Sequence, residues 1–290
     1  DMNSPRITNL EKIIHDLGYN VKYGRSCYET CGYLAGSDEI RINDIHEMFQ
    51  NKEIKAIICM KGGYGASRIV DKIDYNIIKN NPKLFMGFSD ITVLLNAITS
   101  RTGIPTVHGQ VGIFLGRNDI DKISLDDFKK LLTDDFENRV FFNENAITIN
   151  GGIASGQIVG GNLTLIANLV GTEYDIDFKE KIVFIEEVDE EPYRIDRMFA
   201  QLRLSNKLKQ ARGFIFGHFT NCDSPDNTQT VEDLINEYFK DLNVPIITKF
   251  ASGHEFPFFN IPIGVDAILD ADKREIKIIG ELYEKNWKVY

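Results

Sequence analysis

The sequence predicts an α/β protein: an N-terminal layered domain with a mostly parallel sheet, then a smaller C-terminal α/β domain. Two patterns carry this expectation. Short, continuous apolar runs recur along the chain, as strands buried on both faces require. Between them lie stretches with apolar residues at helical spacing, and strand–helix alternation of this kind builds layered, largely parallel sheets.

Element by element, Leu10, Ile13, Ile14 and Leu17 mark a first helix, ended by Gly18. Tyr19 to Tyr23 reads as a short strand. A helix follows over Ile40 to Phe49, with Ile42, Ile45 and Phe49 on one face. Ala56 to Met60 is an apolar run between Lys55 and Lys61-Gly62-Gly63, and Leu84 to Gly87 is a second such strand. Asp90 to Ser100 is a helix (Ile91, Leu94, Leu95, Ile98), with Gly103 just past its end. Residues 117–150, rich in charge and Asn, suggest a lid, a linker or both. Strands are expected over Ile153 to Val159, Ile182 to Ile185 and Gly213 to Phe219, and β character from Ala267 to Ile279. Helices are expected over Leu163 to Leu169 and Pro192 to Leu204. The domain boundary falls near residues 140–155, giving 1–145 and 146–290. An α/β domain commonly opens with a strand, whereas this chain opens at Asp1-Met2-Asn3-Ser4-Pro5 beside a helix, so native N-terminal residues are expected to be missing.

Composition narrows the function. The net charge of −10 argues against nucleic acid or an anionic membrane as partner, since both need a basic footprint. No apolar stretch reaches the roughly 18 residues of a membrane helix, and no secretory leader pattern is present. Cys27, Cys31, Cys59 and Cys222 lack zinc-site spacing and read as free thiols in a reducing cytoplasm. No metal motif occurs, so no metal is expected. A paired-carboxylate glycosidase would want aromatic sugar platforms, and Trp287 is the only Trp.

Several groups could do chemistry. At Gly87-Phe88-Ser89-Asp90 a buried strand ends, a Gly permits a tight turn, and a helix begins: the layout of a nucleophile elbow. It lacks the second Gly of the five-residue elbow pattern, and Ser89 could equally be a helix N-cap. In the elbow reading the Asp90 N–H would stabilise an oxyanion. Lys61-Gly62-Gly63-Tyr64-Gly65-Ala66-Ser67-Arg68 lets backbone approach a ligand, fits no nucleotide fingerprint, and could also be an ordinary turn. A nucleophilic Ser needs a base. Of His15, His46, His108, His218 and His254, the last leads narrowly, since Ala251-Ser252-Gly253-His254-Glu255 is a small polar loop at a strand end. Glu186 and Glu187, after Ile182 to Ile185, could orient an imidazole or cap the helix that follows.

Taken together, these segments resemble the LD-carboxypeptidase family of serine peptidases. The match runs through Tyr33-Leu34-Ala35-Gly36 with Asp38 and Arg41, the glycine-rich turn with Ser67-Arg68 and Asp74-Tyr75, and Gly87-Phe88-Ser89-Asp90-Ile91-Thr92. It continues through Gly160-Gly161-Asn162-Leu163, Glu186-Glu187-Val188 with Pro192-Tyr193-Arg194-Ile195-Asp196-Arg197, Gly217-His218-Phe219, and Gly253-His254 before Pro262-Ile263-Gly264. The order is the family's. Lys61 stands where Arg is frequent, and Gln110 where Pro is usual.

The resemblance implies a Ser-Glu-His triad of Ser89, Glu186 and His254 between the two domains, with Glu186 preferred to Glu187. It implies an oxyanion hole from the Gly63 and Asp90 N–H groups. Lys61 and Arg68 are candidates, by position alone, for gripping a substrate carboxylate. It further implies a cytoplasmic homodimer cleaving the bond before a terminal D-alanine in cell-wall tetrapeptides, without a cofactor. The alternatives are an immunity-type peptidase acting on aminoacyl-nucleotides and a non-catalytic peptide-binding protein on the same scaffold.

Overall fold

The computed structural model describes residues 2–133, 139–223 and 229–280. In chain order the elements begin α1 (Pro5–Asp16), α2 (Asp38–Gln50), β1 (Ala56–Ile58), α3 (Tyr75–Asn80), β2 (Leu84–Gly87), α4 (Thr92–Thr102) and β3 (Thr106–His108). Then come α5 (Gly112–Leu115), α6 (Lys122–Thr133), β4 (Val140–Phe142), β5 (Ile147–Asn150), β6 (Ile153–Asn162), α7 (Leu163–Leu169) and β7 (Ile182–Val188). The remainder is α8 (Pro192–Leu204), β8 (Gly213–Thr220), α9 (Val231–Phe239), β9 (Ile246–Thr248), β10 (Ile261–Ile263), β11 (Asp266–Asp270) and β12 (Glu275–Ile278).

These strands form two sheets. The first runs β1-β2-β3-β10 and the second β4-β12-β11-β6-β7-β8-β9-β5. In the first, β1, β2 and β3 are parallel. In the second, β6 to β9 form a parallel centre, and β11, β12, β4 and β5 add antiparallel edges. The apolar runs lie where burial on both faces demands them: every residue of β2 is buried, and Ile182 to Ile185 of β7 are fully enclosed. β10 comes from the second half of the chain yet pairs antiparallel with β3, Ile261 opposite His108. The loop between β9 and β10 therefore starts on one sheet and ends on the other.

Helix α4 sits between the halves, buried from Thr92 to Ile98 and stopped by Gly103 in the left-handed region (φ 76°). A helix buried on all sides must satisfy its polar groups internally. Asn96 does so by donating to the Gly160 carbonyl (2.9 Å) and accepting from the Gly160 N–H (3.1 Å), while Thr92 Oγ1 accepts from the Asn162 N–H (2.9 Å). These bonds fasten the helix after Ser89 to the end of β6.

Two expectations need correcting. Residues 19–23 form no strand: Tyr19 and Val21 pack against the core, but no neighbouring strand is there to pair with, and alternation without a partner does not make a sheet. Of the expected lid or linker, residues 117–133 and 139–150 belong to the packed fold, and 134–138 lie outside the described residues. The packed segments hold α6, β4 and β5, and α6 buries Phe128, Leu131 and Leu132 while its lysines face outward. The charge that suggested a linker is one face of an amphipathic helix. Among the described residues no helix is long and apolar enough to cross a membrane.

Candidate active site

Strand β2 delivers the chain to Phe88, which is extended, and Ser89 then takes φ 64°. A non-glycine residue there costs about 1–3 kcal/mol and persists only where its surroundings dictate it. Here the strand before it and the clamped helix after it are both fixed. A short 3-10 turn, Ser89–Ile91, leads into α4. This is the strand–turn–helix geometry of a nucleophile elbow. Ser89 stays partly exposed, and its Oγ makes no hydrogen bond among the described residues.

The glycine-rich turn lies against this elbow. A Cβ on Gly62 would fall 2.9 Å from Ser89 Cβ and 3.2 Å from Ser89 Oγ, so only glycine permits the approach. Two bonds hold the turn: Asp90 Oδ2 accepts from the Ala66 N–H (2.8 Å), and Arg41 donates to the Gly65 carbonyl (3.1 Å). Burial pushes the Asp90 carboxyl pKa up, against the pull of the backbone N–H groups of Ala66 and Gly65. The Gly63 and Asp90 N–H groups find no acceptor among the described residues. Of the two proposed substrate cations, Arg68 donates twice to Asp38 (3.1 Å each), which Arg41 and Lys72 also contact. Lys61 is exposed and forms no ion pair among the described residues.

Glu186 and Glu187 both lie inside β7, which extends to Val188, beyond the expected end at Ile185. Adjacent strand residues face opposite sides, which separates the two carboxylates. Glu186, fully buried, places Oε2 2.8 Å from His254 Nδ1. Burial alone would raise the Glu186 pKa, but the His254 charge and hydrogen bond outweigh it and hold it low. Burial likewise pulls on His254 in the opposite sense, and the Glu186 carboxylate leaves the imidazole pKa raised. Glu187 turns to α7 instead: Oε1 accepts from Asn162 Nδ2 (2.7 Å) and the Val188 N–H (2.9 Å), and Oε2 from the Thr164 N–H (2.7 Å). Burial, then the Glu186 charge, push its pKa up to about 7.

His254 rides on the β9–β10 loop, which is pinned from several sides. Ser252 Oγ donates to the Phe259 carbonyl (2.8 Å), the Phe258 N–H to Ser124 Oγ (2.7 Å), and Asn260 Nδ2 to Asp127 Oδ2 (2.6 Å). Gly253, at φ 139°, has no room for a Cβ to spare: it would sit 3.2 Å from Glu186 Oε2 and 3.0 Å from His218 Cβ. The imidazole packs against Phe88, ring centroids 4.7 Å apart, and so lies beside the residue preceding Ser89.

The other histidines are placed differently. His15 is exposed on α1, and His46 Nε2 accepts from the Asp74 N–H (2.9 Å). His218 lies in β8 beside Gly253, and burial lowers its pKa. His108 is fully buried. Phe88, which carries the imidazole contact, and Asn162, which fixes Glu187, had no chemical signature in the sequence; their only signal was membership of matched segments. Among the described residues no His, Cys, Asp and Glu cluster could hold a metal, and the four cysteines are free. Trp287 lies outside the described residues.

Residues 1–109 match the LD-carboxypeptidase N-terminal domain and residues 155–269 the LD-carboxypeptidase C-terminal domain. A probable murein peptide carboxypeptidase of Bacillus subtilis is 36% identical over 90% of this chain and 83% of its own. The muramoyltetrapeptide carboxypeptidase of Oxalobacter formigenes superposes with a TM-score of 0.83 at 27% identity, covering 96% of this chain and 95% of its own. An MccF-like protein from Bacillus anthracis does so at 0.86 and 28%, covering 97% and 93%. On both family models and on a relative of this identity and extent, the chain belongs to the LD-carboxypeptidase family of enzymes.

Proposed function

We propose that the chain is a serine carboxypeptidase that hydrolyses the bond before a terminal D-alanine in cell-wall tetrapeptides, with Ser89, His254 and Glu186 as its triad. The observation that carries this reading is the His254–Glu186 pair, bonded at 2.8 Å and laid against Phe88 next to a serine at φ 64°. With Nδ1 taken by Glu186, the Nε2 of His254 is the nitrogen left to accept the Ser89 proton. Ser89 Oγ attacks the carbonyl, and the N–H groups of Gly63 and Asp90 receive the developing oxyanion. His254 returns its proton to the leaving amine of D-alanine. Water, deprotonated by the same imidazole, then releases the acyl group from Ser89. Lys61 is the cation we assign to the substrate's terminal carboxylate, because Arg68 is engaged by Asp38.

The test is a chromatographic assay of the purified protein on a tetrapeptide ending in D-alanine, with Ser89→Ala alongside. Release of D-alanine by the parent, and a loss of at least about 1,000-fold in the variant, supports the assignment. Equal turnover by both would sink it.

A second reading rests on the resemblance to MccF-like structures: a peptidase acting on aminoacyl-nucleotide conjugates. The same assay run on such a conjugate separates the two by kcat/KM. The first reading also carries a homodimer, which sedimentation of the purified chain would check, and a cytoplasmic location, which fractionation of cells would check.

A further inference from the structure

His108 is a buried titratable group for which the triad has no use. Its ring is fully enclosed at the end of β3, opposite Gly87 of β2 on one side and Ile261 of β10 on the other. Phe184 (centroids 4.8 Å), Phe258 (5.7 Å, nearly parallel) and Phe88 (5.9 Å) wall it in. Neither ring nitrogen has a hydrogen-bond partner among the described residues. A buried imidazole in an aromatic box gains nothing that phenylalanine would not give, and an unpaired ring N–H there costs free energy.

The buried acceptors without a partner among the described residues include Gln110 Oε1 and Glu186 Oε1, and of these two it is the Glu186 carboxylate whose charge acts on His108. The other oxygen of that carboxylate, Oε2, holds His254. Asn162 Nδ2, the nearby amide donor, gives one N–H to Glu187, and its amide also lowers the Glu186 pKa, yet Oε1 itself has no partner among the described residues. Phe184 and Glu186 are two residues apart on β7 and so share a face of the strand, which puts a ring resting on Phe184 on the carboxylate's side.

We propose that His108 is a positioning residue that fixes Glu186 for His254, donating one ring N–H to Glu186 Oε1 across a single buried water. The inference rests on the triad reading above. The ring is suited to the role because it stays neutral: burial pushes its pKa down to about 4, although Glu186 pulls the other way, and His254 is the second charged group facing it. A neutral imidazole keeps one N–H to give at every working pH. With both oxygens engaged, the carboxylate cannot swing away from His254 Nδ1, as ligand-orienting outer partners do at other catalytic sites.

The experiment compares His108→Phe, His108→Gln, His108→Asn and Glu186→Gln in the tetrapeptide assay across pH. His108→Phe keeps the ring but loses the donor. We expect kcat to fall about 10- to 100-fold with KM changed by less than about threefold. The acid limb of kcat/KM should move to higher pH, because an Oε1 without its donor leaves more charge on the carboxylate to retain the His254 proton. At least one of the amide variants should recover about tenfold of the loss by restoring an N–H donor. Wild-type kcat in His108→Phe overturns the proposal, as does a loss with an unmoved limb and no rescue by either amide. If Glu186→Gln is itself fully active, the triad reading fails; if that variant is dead and His108→Phe is normal, only the role of His108 fails. Should His108→Phe not fold, nitrogen-15 NMR of the histidine rings replaces it. A His108 ring proton that shifts upfield on going to Glu186→Gln supports the bond, and an unchanged one refutes it.

Discussion

Asp90 Oδ2 accepts a hydrogen bond from the Ala66 N–H at 2.8 Å, so the residue after the proposed nucleophile reaches back and holds the glycine-rich turn. The elbow and the turn thus move as a unit, and the two N–H groups proposed for the oxyanion hole keep a fixed separation. Asp90→Ala should leave a buried N–H unpaired, destabilise the fold by about 1–3 kcal/mol, and lower kcat more than it raises KM. Asp90→Asn, which keeps an acceptor oxygen, should recover most of both. Thermal melts and steady-state kinetics of the pair check this.

Gly62→Ala isolates the close approach of turn and nucleophile. The new methyl would meet Ser89 Cβ at 2.9 Å, and neither the buried strand before Ser89 nor the clamped helix after it can yield freely. A displaced Oγ of the order of 1 Å lowers turnover by about 100-fold. We expect that loss with the melting temperature little changed. A variant of normal activity would mean the turn relaxes outward instead.

The pH dependence of the reaction follows from His254. Its pKa is raised above the ordinary 6.5 by Glu186, so the ring loses its proton, and becomes a base, only above that value. The acid limb of kcat/KM should therefore lie above pH 6.5. Glu186→Gln should move that limb down and reduce the rate together. For stability the sign is the reverse: a raised folded pKa contributes stability that is fully present below pH 6.5 and is lost as pH rises through the folded value. Chemical denaturation of the parent and of Glu186→Gln at pH 6 and pH 8.5 measures it.

Glu187 separates the two neighbouring acids. It faces α7 and not the imidazole, so Glu187→Gln should keep turnover within about tenfold, whereas Glu186→Gln should lose at least about 100-fold. Its folded pKa of about 7 exceeds the ordinary 4.5. The native state therefore takes up a proton on folding between those values, and stability falls as pH rises through them. Glu187→Gln should flatten the dependence of unfolding free energy on pH between 5 and 7.5.

Much of this was legible in the chain. The apolar runs at β2 and β7, the Gly103 stop and the Pro192 start are local signals, set by burial and backbone geometry within a few residues. Glu186 and His254 were nameable as candidates because a polar group at the end of an apolar strand or in a small-residue loop is conspicuous. What stayed hidden depends on distant partners. The extension of β7 through both glutamates depends on β6 and β8 pairing alongside it. Tyr19 to Tyr23 had the alternation of a strand but no neighbour. Nor does any local pattern announce that Ile261–Ile263 leaves the sheet of the strands around it.

That last excursion bears on how the chain could be divided. A cut between β3 and β6 would leave an N-terminal piece whose sheet ends at β3, with an open edge, and a C-terminal piece carrying the missing strand with no sheet to receive it. Such pieces are complementary fragments: each exposes the surface the other lacks. Their reassembly would be scored by the chemistry itself, since the serine would travel on one and the histidine and glutamate on the other.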